Sequence, residues 1–203
     1  MKIEAVIFDW GGVLIDNPAQ DLINYCANAL GVSPQDYKKA QLQAEPEFTL
    51  GLISEKQFWQ KICSQLAVAL PRTNSLWYEA FKSVYRPRQD VFDLALQLKN
   101  LNFKTALLTN TEKPAMKFFL EQNYTAFTAL TFSCAENVAK PSPAVYKITL
   151  EKLDCLPESA VFIDDRPDFI EGAQALGIKT ILYRTFGQLV QELNSFGIRT
   201  KIS

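Results

Sequence analysis

The chain of 203 residues contains no histidine. That absence excludes Ser-His-Asp and Cys-His catalysis, histidine-ligated zinc and imidazole as a general base. Acid/base or nucleophilic chemistry therefore falls to carboxylates, lysine, hydroxyls or thiols. Cysteine is sparse and scattered: Cys26, Cys63, Cys134 and Cys155 form no CxxC pair, which argues against a zinc knuckle or a redox pair. They read as reduced thiols of a cytoplasmic protein. An excess of one charge is missing, with a net charge of -1, so neither nucleic acid nor an acidic membrane is an expected partner. Apolar runs long enough to span a bilayer are missing too. No leader is expected, because the first strand pattern begins almost at Met1.

What remains is an ordinary globular composition, 48% hydrophobic and 21% charged. Five short, nearly continuous apolar runs read as buried strands: "IEAVIF" (3–8), "KTALLT" (104–109), "ALTFS" (129–133), "AVFID" (160–164) and "IKTILY" (178–183). Such runs suit a parallel sheet covered on both faces. Helical segments separate the last four: one begins near Thr111, one opens at Ser142-Pro143 with serine as the cap, and one opens at Pro167 and closes at Gly177. Strands alternating with helices predict a doubly wound, Rossmann-like α/β sheet. Between the first two strands lie about 90 residues without a strand pattern, far more than a loop. They read as helices: "QDLINYCANALG", "SPQDYKKAQLQ", "SEKQFWQKICSQLAVAL" and "SLWYEAFKSVY". Residues 17–87 are thus expected to form a small helical subdomain inserted after the first strand, with 1–16 and 88–203 forming the α/β core. Its aromatics (Phe48, Phe58, Trp59, Trp77, Tyr78, Phe81, Tyr85) are expected mostly to fill a small bundle core, and Trp10 is also expected to pack.

Ligands of an open parallel sheet bind outside the carboxyl ends of its strands. Strand one ends in Asp9 and strand two in Thr109-Asn110. Lys140 follows strand three, and strand four ends in Asp164-Asp165 with Asp168 beyond. Adjacent carboxylates repel unless a cation or proton sits between them, and oxygen-only ligation suits Mg²⁺. A metal would leave Asp9 free as a nucleophile. Thr109, Lys140 and the backbone N–H groups of the Gly11-Gly12 turn could hold an incoming dianion, an assembly fit for phosphoryl transfer.

Four stretches in this order, "IFDWGGVLID", "ALLTNT", "AKPSPAVY" and "VFIDDRPDFIEGA", resemble the haloacid dehalogenase-like (HAD) hydrolase superfamily. The inserted helices resemble its first type of cap, and "FTLGLISEKQFWQKI" is similar to caps of the branch whose first motif reads "FDxGGV". The resemblance implies that Asp9 is the nucleophile of an aspartyl-phosphate route. It implies Mg²⁺ held by Asp9, the Gly11 carbonyl and Asp165, with Asp164 as a direct or outer partner. Thr109 and the Asn110 backbone would bind the phosphoryl oxygens, and Lys140 would bridge Asp9 and the phosphate. The expected substrate is a small phosphorylated metabolite such as a sugar phosphate. The cap would close over the site and select that substrate.

Two positions depart from the family pattern. Gly11 stands where most phosphatases of the superfamily carry a second, acid/base aspartate, help typically worth ~10²–10⁴-fold in rate. Phe169 stands where many relatives carry asparagine. Gly11 leaves two other readings: a 2-haloacid dehalogenase using Asp9, against which the Asp164-Asp165 pair speaks, and a catalytically weak binding module. Asp16, Asn17, Trp59, Arg86 and Arg88 are further candidates to face the cleft.

Overall fold

The computed structural model describes residues 2–200. Residue 1 and residues 201–203, the ends of the expected α/β core, lie outside the described residues. The apolar runs form β1 (Ala5–Phe8), β2 (Lys104–Thr109), β3 (Ala129–Phe132), β4 (Ala160–Asp164) and β5 (Lys179–Leu182). All pair in parallel, in the order β3-β2-β1-β4-β5. Because side chains alternate across a pleat, Val6, Phe8, Val161 and Ile163 pack on one face and Ala5, Ile7, Ala160 and Phe162 on the other. Both faces are covered, which is why the strands show no polar alternation.

Four helices follow β1 and belong to the inserted segment: α1 (Ala19–Leu30), α2 (Pro34–Thr49), α3 (Glu55–Leu66) and α4 (Leu76–Val84). Next come α5 (Gln89–Asn100), α6 (Lys113–Glu121), the short α7 (Ser133–Glu136), α8 (Pro143–Leu153), α9 (Pro167–Gln174) and α10 (Phe186–Ser195). Helices α5, α6 and α10 bury apolar residues on the first face of the sheet, whereas α8 and α9 cover the second. No described helix is long and apolar enough to cross a membrane.

The inserted helices do not close around a core of their own. Phe48, Phe58 and Trp77 stack together, with ring centroids of Phe48 and Phe58 4.2 Å apart. Trp10 then packs on Phe81 at 4.7 Å and on Phe119 at 5.1 Å. One apolar cluster thus runs from these helices to the sheet.

Local signals set most helix starts. Ser33 accepts from the Asp36 N–H ahead of Pro34, and Ser54 with Gln57 forms a reciprocal cap on α3. Ser142 stands at the cap position of α8 as expected, but its side chain makes no capping bond. Gly177 lies beyond the end of α9 with a positive φ of 84° and serves the turn into β5. Two helices, α7 and α10, were not expected from the sequence.

Helix α2 runs further than its pattern suggests, through Pro46 to Thr49. Its far end is docked on the core. The carbonyls of Thr49, Leu50 and Gly51 accept from Ser133 Oγ at 2.8 Å, Asn137 Nδ2 at 2.8 Å and Lys113 Nζ at 3.1 Å. These bonds satisfy carbonyls that a helix end otherwise leaves open. The approach is close: a Cβ on Gly51 would sit 2.2 Å from the Cys134 carbonyl oxygen, and Gly51 has a φ of +67°. Gly31 has a similar φ of +69° but open space around it. Gly31→Ala should therefore lower stability by about 1–2 kcal/mol, the penalty of a Cβ in left-handed backbone. Gly51→Ala should cost a further ~1–3 kcal/mol from overpacking. Urea unfolding of both variants is the check, and equal losses would mean that α2 is not held tightly.

Candidate active site

β1 and β4 are neighbours, but the chain leaves β1 toward β2 and β3 on one side and returns to β4 on the other. A crevice opens at such a reversal, outside the carboxyl ends of the strands. Asp9 follows β1, Asp164 ends β4 and Asp165 comes next. One carboxylate oxygen of each lies within 4.8 Å of the others. Lys140 Nζ reaches Asp9 Oδ1 at 2.7 Å and Asp164 Oδ2 at 2.6 Å. The Lys140 and Asp164 side chains are fully buried.

Three carboxylates therefore share one ammonium in a poorly hydrated place. Burial, then the charge of Asp9, raises Asp164 well above the usual carboxylate range, against the pull of Lys140. The same two causes raise Asp165. Burial works to lower Lys140, but Asp9 and Asp164 outweigh it and hold the ammonium firmly charged. The cluster needs another positive charge, and its oxygen-only donors fit a hard divalent cation.

The neighbouring residues hold this arrangement. The Asn110 side chain clamps the Lys140 backbone: Nδ2 donates to the Lys140 carbonyl at 3.0 Å, and Oδ1 accepts the Lys140 N–H at 2.8 Å. Sequence reading assigned only the Asn110 backbone a role. The Lys140 ammonium also lies 4.8 Å from the ring centroid of Phe169, a favourable contact with the aromatic face. Thr109 is buried at the end of β2 and borders the same cavity as Asp9, Gly11, Lys140 and Asp165.

Gly12 requires a correction. Its N–H does not face a ligand but donates to the Ile15 carbonyl at 2.9 Å. Gly12 is glycine for another reason: with φ at +89°, an added Cβ would lie 2.2 Å from Asp165 Oδ2. It lets that carboxylate approach. Gly11 differs, since a Cβ there would meet only Pro18 Cδ, at 3.5 Å, an ordinary contact. Of the further cleft candidates, Asn17 borders the cavity. Asp16 pairs instead with Arg88 at 3.0 Å. Trp59 is buried with its N–H on Glu55 at 2.9 Å. Trp10 does both: it is buried in the aromatic cluster and borders the cavity.

The cavity measures about 260 Å³, and its far wall comes from the inserted helices. Gln41, Glu45 and Thr49 of α2 line it, at the i, i+4, i+8 spacing of one helix face. Tyr37, Ala40, Ala44 and Phe48 of the same helix are buried. Glu112, on the loop after β2, also lines the cavity. Its oxygens accept from Thr49 Oγ1 and Trp77 Nε1, both at 3.0 Å. None of these wall residues was singled out from the sequence. The polar stripe 41, 45, 49 was the available signal, but only a known partner surface tells which face of a helix points at a site.

A family model for haloacid dehalogenase-like hydrolases matches residues 3–177. The chain belongs to this family. It is 26% identical to mouse acyl-CoA dehydrogenase family member 10 over 94% of its own length, but that match spans only 19% of the mouse protein. It is also 26% identical to a phosphorylated carbohydrates phosphatase of Thermotoga maritima, covering 88% of this chain and 84% of that protein. Among solved structures, a HAD family enzyme of Bacteroides thetaiotaomicron in complex with magnesium and inorganic phosphate superposes with a TM-score of 0.75 at 23% identity, over 92% of this chain and 98% of that one. That likeness shows the HAD fold.

Burial pushes Glu112 up to about 7, aided by the charge of Glu45 and opposed by its own hydrogen bonds. The folded protein therefore holds this proton at pH values where the unfolded chain has released it. The stability so contributed is fully present below the unfolded value of about 4.3 and is lost as pH rises through about 7. In urea unfolding between about pH 5 and pH 8, wild type should lose more stability than Glu112→Gln. Parallel pH dependences would show that Glu112 ionises freely.

Proposed function

We propose that the chain is a Mg²⁺-dependent phosphatase of a small phosphorylated metabolite, such as a sugar phosphate, acting through an aspartyl-phosphate on Asp9. The observation that carries this reading is the Asp9, Asp164 and Asp165 cluster, whose oxygens lie within 4.8 Å of one another against a single buried lysine. Asp9, the Gly11 carbonyl and Asp165 would hold Mg²⁺. Both Asp164 oxygens already accept protein donors, Lys140 Nζ at 2.6 Å and the Arg166 N–H at 2.9 Å, which favours an outer place for Asp164. The cation, when bound, offsets the carboxylate charge and that of the arriving phosphoryl group.

The chain's own residues do the rest. Lys140 holds Oδ1 of Asp9 and so sets how the nucleophile faces the cavity. An ammonium has three donors, and two are spent on Asp9 and Asp164, leaving the third for a phosphoryl oxygen. Thr109 and the backbone around Gly11 and Asn110 complete the cradle. Asp9 displaces the leaving group, and water then cleaves the acyl phosphate. In this reading residues 17–87 are the cap that shuts the cavity, and 1–16 with 88–203 are the catalytic core.

Dehalogenation needs no metal, so the Asp9, Asp164 and Asp165 cluster favours phosphate esters over a 2-haloacid. The binding-module reading rests on Gly11 alone. Phosphate release should be detected across a panel of phosphorylated metabolites with Mg²⁺ and should vanish with EDTA. Asp9→Asn should lose on the order of 10⁴-fold or more. Halide release from 2-chloropropionate without metal, and no phosphate release, would sink the reading.

A further inference from the structure

Gly11 leaves the proposed reaction without a proton carrier beside Asp9. An alkoxide leaving group must gain a proton, and the water that follows must lose one. Without histidine, the carboxylates bordering the cavity are the natural candidates: Asp9, Asp165, Glu112 and Glu45. Asp9 is the nucleophile and Asp165 belongs to the cation. Glu112 is committed, because its two oxygens accept from Thr49 and Trp77. Asp16 and Asp168, the other acids near the motifs, are tied to Arg88 and Arg166.

Glu45 is left. It stands on the polar face of α2 between Gln41 and Thr49, on the wall of the cavity that Asp9 also borders. The groups that act on it are Gln41 of its own helix, Arg166 after β4 and Glu112 after β2. Burial raises its pKa, while Gln41 and Arg166 restrain the rise.

We propose that Glu45 is the general acid/base of this site, supplied by the inserted helices in place of a carboxylate at position 11. The proposal rests on the phosphatase reading above. In the first step an Asp9 oxygen bonds to phosphorus and the bond from phosphorus to the leaving oxygen breaks. The Glu45 carboxyl gives its proton to that oxygen, leaving an alcohol and a Glu45 carboxylate. In the second step the Glu45 carboxylate takes a proton from water as its oxygen bonds to phosphorus. The bond from phosphorus to Asp9 breaks, phosphate leaves, and both side chains return to their starting states.

A proton carrier matters most when the leaving group is a strong base, so the test is the leaving-group dependence of kcat. Para-substituted phenyl phosphates, from nitro to methoxy, serve as probes with Mg²⁺ present. Glu45→Gln should lose about 10²-fold on the methoxyphenyl ester and at least tenfold less than that on the nitrophenyl ester, steepening the plot of log kcat against leaving-group basicity. Gly11→Asp placed in the Glu45→Gln background should flatten it again, whereas a purely structural role of Glu45 would lower kcat on every ester alike and leave the slope unchanged. Equal losses on all esters would overturn the proposal while leaving the phosphatase reading intact. No turnover by wild type, with Asp9→Asn indistinguishable from it, would overturn the phosphatase reading and the proposal with it.

Discussion

Three carboxylates and one ammonium meet at the carboxyl ends of β1 and β4, with Asp9, Asp164 and Lys140 buried and Asp165 half-buried. Much of the surrounding structure follows from that imbalance. Lys140 cannot withdraw without leaving buried negative charge uncompensated, a loss of several kcal/mol. Its backbone is accordingly clamped on both sides by Asn110, and its ammonium rests against Phe169. Gly12 is bare so that Asp165 can come close. The excess of negative charge is a standing demand for a divalent cation, and it is the physical reason to read the site as one for phosphoryl chemistry.

The wall facing this cluster is built differently. It belongs to helices whose apolar residues merge with the sheet core through Trp10, Phe81 and Phe119. The end of α2 is fastened by three side chains that reach across from the core. Glu112 joins the loop after β2 to Thr49 of α2 and Trp77 of α4. The cavity is thereby shut on its far side by polar bonds that water can replace, not by apolar packing alone. Bonds of this kind are modest individually.

The sheet and the charged rim were legible in the sequence because each lies within a contiguous run. The strand "AVFID" and the carboxylates Asp164 and Asp165 sit side by side in the chain, so a strand pattern also locates its chemistry. The roles of Asn110 and Gly12 were less legible. The Asn110 side chain acts on Lys140, 30 residues away, and Gly12 is shaped by Asp165, whose approach only the fold creates. The wall of the cavity was the least legible part. Helix α2 buries Tyr37, Ala40, Ala44 and Phe48 together with polar Gln41, so its apolar face is weakly marked and nothing local tells which polar stripe meets a site. Helix α7 was missed because four residues carry no periodicity to read.

The two glycines after Asp9 carry opposite lessons. Gly12 is forced by space, since any Cβ would strike Asp165. Gly11 is not: its Cβ position is open apart from an ordinary contact with Pro18. No packing constraint requires glycine there. The acid/base carboxyl that most phosphatases of the superfamily carry at this position, beside the Asp9, Asp164 and Asp165 cluster, is supplied in our proposal by Glu45. Placed on α2, the same carboxyl is set apart from that cluster and within the influence of Arg166. The separation also has a consequence for order of events. A proton carrier on the core would act whether or not the cavity were shut, whereas one on α2 acts only when α2 is seated against Ser133, Asn137 and Lys113. If the proposed role of Glu45 holds, proton transfer would be conditional on α2 being seated, and a phosphoryl group reaching the site without it would meet Asp9 without the acid that completes the reaction.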